Sequence, residues 1–117
     1  MSVKHTTDVI ADDVAAGKNT TMQVLISSQE GRNFAMRKFS MQPGGGMPRH
    51  TNTVEHEQYV LSGHARIGIE DDVFEVEPGD VVFIPEGVPH WYENAGDGVF
   101  EFLCVIPNKN DVVTVLD

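Results

Sequence analysis

Two stretches decide how this chain is read: PGGGMPRHTNTVEHEQYVLSG, residues 43–63, and GDVVFIPEGVPHWYEN, residues 79–94. In the second, Gly79, Pro85 and Gly87 bracket the apolar run 81–84, so a short strand lies between turn residues and His90 stands where the next strand begins. In the first, Gly44, Gly45 and Gly46 lie between Pro43 and Pro48, a segment stiff at its ends and free of Cβ atoms in its middle that can bend the backbone close to a site. Taken alone, such a triplet reads as an ordinary loop. It is a poor phosphate cradle, because no Lys-Ser/Thr follows and no helix pattern starts there. Three of the five histidines, His50, His56 and His90, fall near turn signals at strand starts, where side chains from separate strands can converge on one pocket. Neutral imidazole binds first-row metals, and side chains two apart on a strand point the same way, so His50 and Asn52 share a target.

Working outward, strand signals dominate from Met22 onward, and the chain reads as all-β. Strands are expected over 23–27, 33–42, 57–61, 65–70, 73–77, 81–84, 90–94 and 99–106. Residues 65–70 and 73–77 alternate cleanly around Asp71-Asp72 and predict a hairpin with one wet face. Phe100, Phe102, Cys104 and Ile106 share one face of the last strand, while Glu101, Leu103 and Val105 share a second, mostly apolar face, which predicts burial on both sides. Residues 8–16 are the one place for a short helix, within an N-terminal arm over 1–20 that a dimer could exchange; the barrel is expected over 21–117.

The 117 residues are 40% apolar, enough for one core without a disulfide or a structural metal, so any metal is expected to be functional. Eighteen acidic against eight basic residues give a formal charge of −10, which disfavours nucleic acid and anionic membrane as partners. The absence of a signal-peptide core and the single cysteine lead to a cytoplasmic expectation.

Together these spacings resemble the cupin superfamily. Gly44, His50, Asn52, His56 and Gly63 fall at the intervals of its first motif, and Gly79, Pro85, Gly87, His90 and Asn94 meet its second without a gap. Fifteen residues, 64–78, separate the two, as in compact single-domain cupins. The resemblance implies a double-stranded β-helix, or jelly-roll barrel, with one divalent metal ion held by His50, Asn52, His56 and His90. His56 stands where most cupins place a glutamate, which is similar to a subgroup of small bacterial manganese cupins with four histidines; Asn52 replaces one of the four. Manganese or iron is favoured, with zinc, nickel or copper as alternatives. An amide oxygen is a weaker donor than imidazole, so Asn52 either coordinates loosely or leaves three histidines to hold the metal alone.

Other residues carry weaker expectations. Tyr92, Phe102, Cys104 and Ile106 share faces that can line a substrate pocket, with plain core packing the competing reading; Trp91 is expected on the side opposite Tyr92. Cys104 reads first as an inert buried thiol. Glu55 and Glu57 flank a ligand and point away from it, Asn94 reads as a turn residue, and His5 and His64 occupy no motif position. No catalytic base is evident. The leading expectation is an oxidoreductase of dioxygenase type acting on a small organic molecule. The alternatives are a non-redox isomerase or lyase and a binding module without turnover. A homodimer with exchanged edge strands completes the reading, because a short barrel leaves sheet edges and apolar outer faces.

Overall fold

The computed structural model describes residues 1–116, and the last residue of the expected barrel, Asp117, lies outside them. After a single 3₁₀ turn, Thr6–Asp8, the chain forms β1 (Ala11–Asp13), β2 (Lys18–Ile26), β3 (Phe34–Thr51), β4 (His56–Ser62), β5 (Ala65–Ile69), β6 (Asp72–Val76), β7 (Val81–Ile84), β8 (His90–Glu93), β9 (Phe100–Pro107) and β10 (Thr114–Val115). The strands join in one antiparallel sheet of order β6-β5-β8-β3-β9-β4-β7, with β2 and β10 also pairing β3 and β1 pairing β2. The sheet curls into the jelly-roll barrel expected of an all-β chain. Among the described residues, no helix is long and apolar enough to cross a membrane.

The longest strand departs from the expected boundaries in an instructive way. β3 does not stop at residue 42; it runs on through the three glycines to Thr51. Its first half pairs β9, Phe34 with Pro107 through Met41 with Phe100, and its second half changes partner to β8, Gly46 with Glu93 and His50 with His90. The glycines make the change of partner possible. Gly44 takes φ +81°, and a Cβ at Gly45 or Gly46 would collide with the backbone of Lys18 and Gln42 or of Tyr92. Asn94 clips the bend: its backbone exchanges hydrogen bonds with Gly44 and Gly45, and its fully buried amide donates to the carbonyls of Met41 and Gly98.

The remaining elements follow local pattern. The β5–β6 hairpin pairs Ala65 with Val76 through Ile69 with Asp72, and Glu70 at its turn takes φ +55°. No α-helix forms over 8–16; β1 is there instead, paired with β2, which itself crosses the expected boundary at residue 20. β9 is buried on one face only. Phe100, Phe102 and Cys104 are inside, whereas Glu101, Leu103 and Val105 are half-exposed, because no second layer covers the outer surface of the barrel there. Inside, Met41, Val60, Ile67, Ile84, Phe100 and Phe102 form the packed core, each worth about 1.5–3 kcal/mol of burial. Phe39, Phe102 and Tyr92 stack in near-parallel planes, with centroids 5.1 and 5.2 Å apart, into an aromatic column that floors one cavity. Trp91 points out of the barrel, as its alternation with Tyr92 requires, and its indole lies where a Cβ on Gly68 would be.

Candidate metal centre

His50 lies one residue before the end of β3 and His90 begins β8, and the register sets them opposite each other, with ring centroids 4.2 Å apart. His56, at the start of β4, places its ring 5.6 Å from that of His90. All three side chains are buried and face one cavity, as do Asn52, Tyr92 and Phe102. The cavity holds about 280 Å³. As the rings stand, they form two adjacent pairs through His90, and no three His, Cys, Asp or Glu groups among the described residues close into a cage.

The hydrogen bonds nonetheless specify donors. The Nδ1 of His50 lies 2.7 Å from the Pro48 carbonyl, and that of His90 lies 2.9 Å from the Val88 carbonyl. A carbonyl only accepts, so each Nδ1 carries the proton and each Nε2 keeps its lone pair for a ligand, the usual outer arrangement of a metal-bound histidine. The Nε2 of His56 is buried and has no partner, and neither has the Oδ1 of Asn52. Asn52 is oriented by its amide nitrogen, which donates to Asp111 Oδ2 at 3.0 Å, and this aims the orphaned oxygen elsewhere. Burial pushes His56 down to about 3, helped by the charge of Arg37, and His90 down to about 4 against the opposing pull of the Val88 carbonyl. Neutral imidazoles are the form a metal requires. The orphaned oxygen of Asn52, two imidazoles with locked tautomers, and the partnerless Nε2 of His56, a lone-pair donor when its Nδ1 carries the proton toward Cys104 Sγ, fit a divalent ion in donor type. His50, His56 and His90 would hold it, with Asn52 as a weaker fourth donor.

Of the other pocket expectations, Tyr92 and Phe102 line the cavity, whereas Cys104 sits behind His56, its Sγ 3.0 Å from His56 Nδ1. Burial raises the Cys104 thiol above its ordinary range. Ile106 lies past the cavity wall and packs against the core. Glu55 and Glu57 are exposed, and desolvation and the neighbouring Glu55 push Glu57 up to about 7.

Three polar lining residues were not anticipated: Arg37, Gln58 and Asp111. Gln58 had a signal, since it follows His56 by two on the same strand and so shares its face. Arg37 also had one, being the charged member of the alternation Ala35, Arg37, Phe39, Met41. Asp111 had none. It reaches the cavity because the C-terminal segment folds back, with β10 pairing the end of β3 and the Asp111 carboxylate accepting from Asn52 and from the Thr53 backbone.

A family profile described as cupin domain matches residues 37–106. The chain belongs to the cupin superfamily. Its whole length superposes on the polyketide cyclase RemF of Streptomyces resistomycificus at TM-score 0.92 and 34% identity, covering 86% of that chain. A cupin-2 domain protein of Rhodospirillum rubrum aligns with 99% of this cupin and 80% of its own chain, at TM-score 0.85 and 25% identity. A predicted oxalate decarboxylase of Thermotoga maritima shares the fold at TM-score 0.80 and 21% identity, over 98% of this chain and all of that one. An uncharacterized protein of Methanocaldococcus jannaschii is 36% identical over 52 residues, 44% of this cupin and 42% of that protein, so the match spans less than half of that curated relative.

Proposed function

We propose that this cupin is a metal-dependent enzyme for a small, mostly apolar carbonyl compound, catalysing a polyketide-cyclase type of ring closure in the cytoplasm. The observation that carries the reading is a cavity in which imidazoles and an orphaned amide oxygen stand above a floor of stacked aromatic rings. The likeness to a polyketide cyclase over the full chain supports it. His50, His56 and His90, with Asn52 as a weaker donor, would hold a divalent ion, which would supply Lewis acidity toward a carbonyl oxygen. Manganese or iron suits that donor set, and one ion is expected.

The chain's own groups then divide the work. Tyr92 accepts a hydrogen bond from Gln58 at 2.7 Å, and burial raises its phenol well above the ordinary value, so it keeps its proton and can donate a hydrogen bond to a substrate oxygen. Asp111 is the one carboxylate among the cavity-lining residues and the acceptor for a proton from a methylene between two carbonyls. The carbanion carbon attacks a second carbonyl of the same molecule, the alkoxide so formed takes the proton back from Asp111, and loss of that hydroxyl with the second methylene proton releases water and leaves a ring double bond. The aromatic floor holds the chain folded for that attack.

The oxygen-activating chemistry expected from the sequence is the second reading, favoured by the weak fourth donor at Asn52, which leaves positions open. It is less favoured because the thioethers of Met22 and Met47 line the same cavity and the Cys104 thiol touches His56, all oxidisable groups beside the site. Protein purified without added metal, analysed for bound elements and incubated with a synthetic 1,3,5,7-tetraketone, in which a methylene between two carbonyls can close a six-membered ring, tests both readings. Aromatic product formed with no oxygen uptake is the expected result; oxygen consumed in step with substrate overturns it in favour of oxidation.

A further inference from the structure

Among the described residues, the Arg37 guanidinium has no oxygen acceptor. Its Nη2 lies 3.3 Å from Cys104 Sγ and 3.4 Å from His56 Nδ1, its Nη1 lies 3.9 Å from Met22 Sδ, and its buried Nε has no partner. The ion pairs among the described residues are made by Lys4, Lys38 and Arg66, not by Arg37. What it does have is the ring of Phe39, with the guanidinium carbon 5.1 Å from the centroid. A permanently charged group with five donors, half-buried among sulfur, imidazole and an aromatic face, lacks the anion that would offset its partial desolvation. Arg37 also lines the cavity, so that anion can reach it from there.

The charges of the cavity wall are arranged along it. Arg37 is felt at His56, and the Asp111 carboxylate is felt at His90. The rest of the chain is strongly acidic, with a formal charge of −10, so an anion is admitted only where a local cation outweighs that field. We propose that Arg37 is the specificity-determining residue for an anionic substrate: a molecule with an apolar, unsaturated body lying on the Phe39–Phe102–Tyr92 floor and a carboxylate paired with the guanidinium. This names the substrate class of the reaction proposed above and rests on that reading only for the carbonyl-bearing body.

Calorimetric binding of 2-naphthoate and 2-naphthamide, alike in shape and differing in charge, tests the assignment on the protein with the metal it carries when purified. Wild type is expected to bind the carboxylate at least about tenfold more tightly than the amide, as charge-assisted bonds to guanidinium imply. R37Q is expected to erase that preference by weakening naphthoate while leaving naphthamide nearly unchanged. R37K, which keeps the charge but loses the planar fork, is expected to fall between the two. Metal content and melting temperature of each variant separate this role from mere support of His56, because a positioning role would weaken both probes together. The assignment is overturned if naphthoate does not bind, if wild type shows no preference, or if R37Q keeps the preference, which would place the anion on the metal. Loss of the ring-closing activity with the Arg37-dependent preference intact would sink the proposed reaction and leave the specificity standing.

Discussion

Acidification of metal-stripped protein should destabilise it steeply below pH 6.5. His56 and His90 titrate near 6.5 in an unfolded chain but are held down to about 3 and about 4 in the folded barrel by burial. Between those values the unfolded state binds protons that the folded state refuses, so stability is full above pH 6.5 and falls as the pH drops. Each ring withholds about 1.4 kcal/mol per pH unit, so at pH 5 each has removed about 2 kcal/mol. Glu57 works the other way. Its carboxyl is raised to about 7, so protonation on acidification stabilises the fold, but it lies on the exposed outer face, where solvent screens the effect. A net loss of about 2–4 kcal/mol between pH 7 and pH 5 is expected, a large part of the 5–15 kcal/mol typical of a small domain. Urea unfolding followed by the fluorescence of the single tryptophan, Trp91, measures it. Replacing His90 with Gln should remove about half of the slope. A midpoint that holds steady or rises from pH 7 to pH 5 would refute the reasoning, because it would mean the two rings accept protons in place.

The same buried site gives sharper expectations for substitution. His56→Ala should lower metal affinity at least about tenfold, read by competition with a chromophoric chelator, whereas Asn52→Ala should cost only a few-fold if the amide is the weak donor. Phe102→Ala removes the middle ring of the stack and should cost about 3–5 kcal/mol in urea unfolding. On the outer surface, Tyr59, Val81 and Phe83 are exposed along the paired strands β4 and β7, and β7 ends the sheet. A homodimer through that face is expected in sedimentation at micromolar concentration, and Phe83→Glu should shift it toward a single chain; wild type sedimenting as one chain would exclude it.

Much of the barrel was legible because it is written in local chemistry. Alternation assigned the inward faces of β5 and β9, and Gly63, Gly79 and Gly87, each at a φ between +76° and +95°, marked turns that other residues enter only with strain. His50, His56 and His90 stood out before any coordinates because turn signals put them at strand starts, and the resemblance to the cupin motif added Asn52 to them as candidate ligands; all four are buried against one cavity. The glycine triplet misled because a bend and a strand are not exclusive: β3 needed freedom from Cβ in order to leave β9 and join β8.

What the linear order of residues determined by itself was thus the periodic burial and the turns, since each depends on backbone preferences acting over a few positions; the candidate donors came from the spacing of the cupin motif. Tertiary structure alone decided that Arg37 faces Cys104 across two strands, that Asp111 returns to orient Asn52, and that Ile106 stops short of the cavity. Those contacts join positions as far as 67 residues apart, and they follow from register and chain return, which no local periodicity encodes.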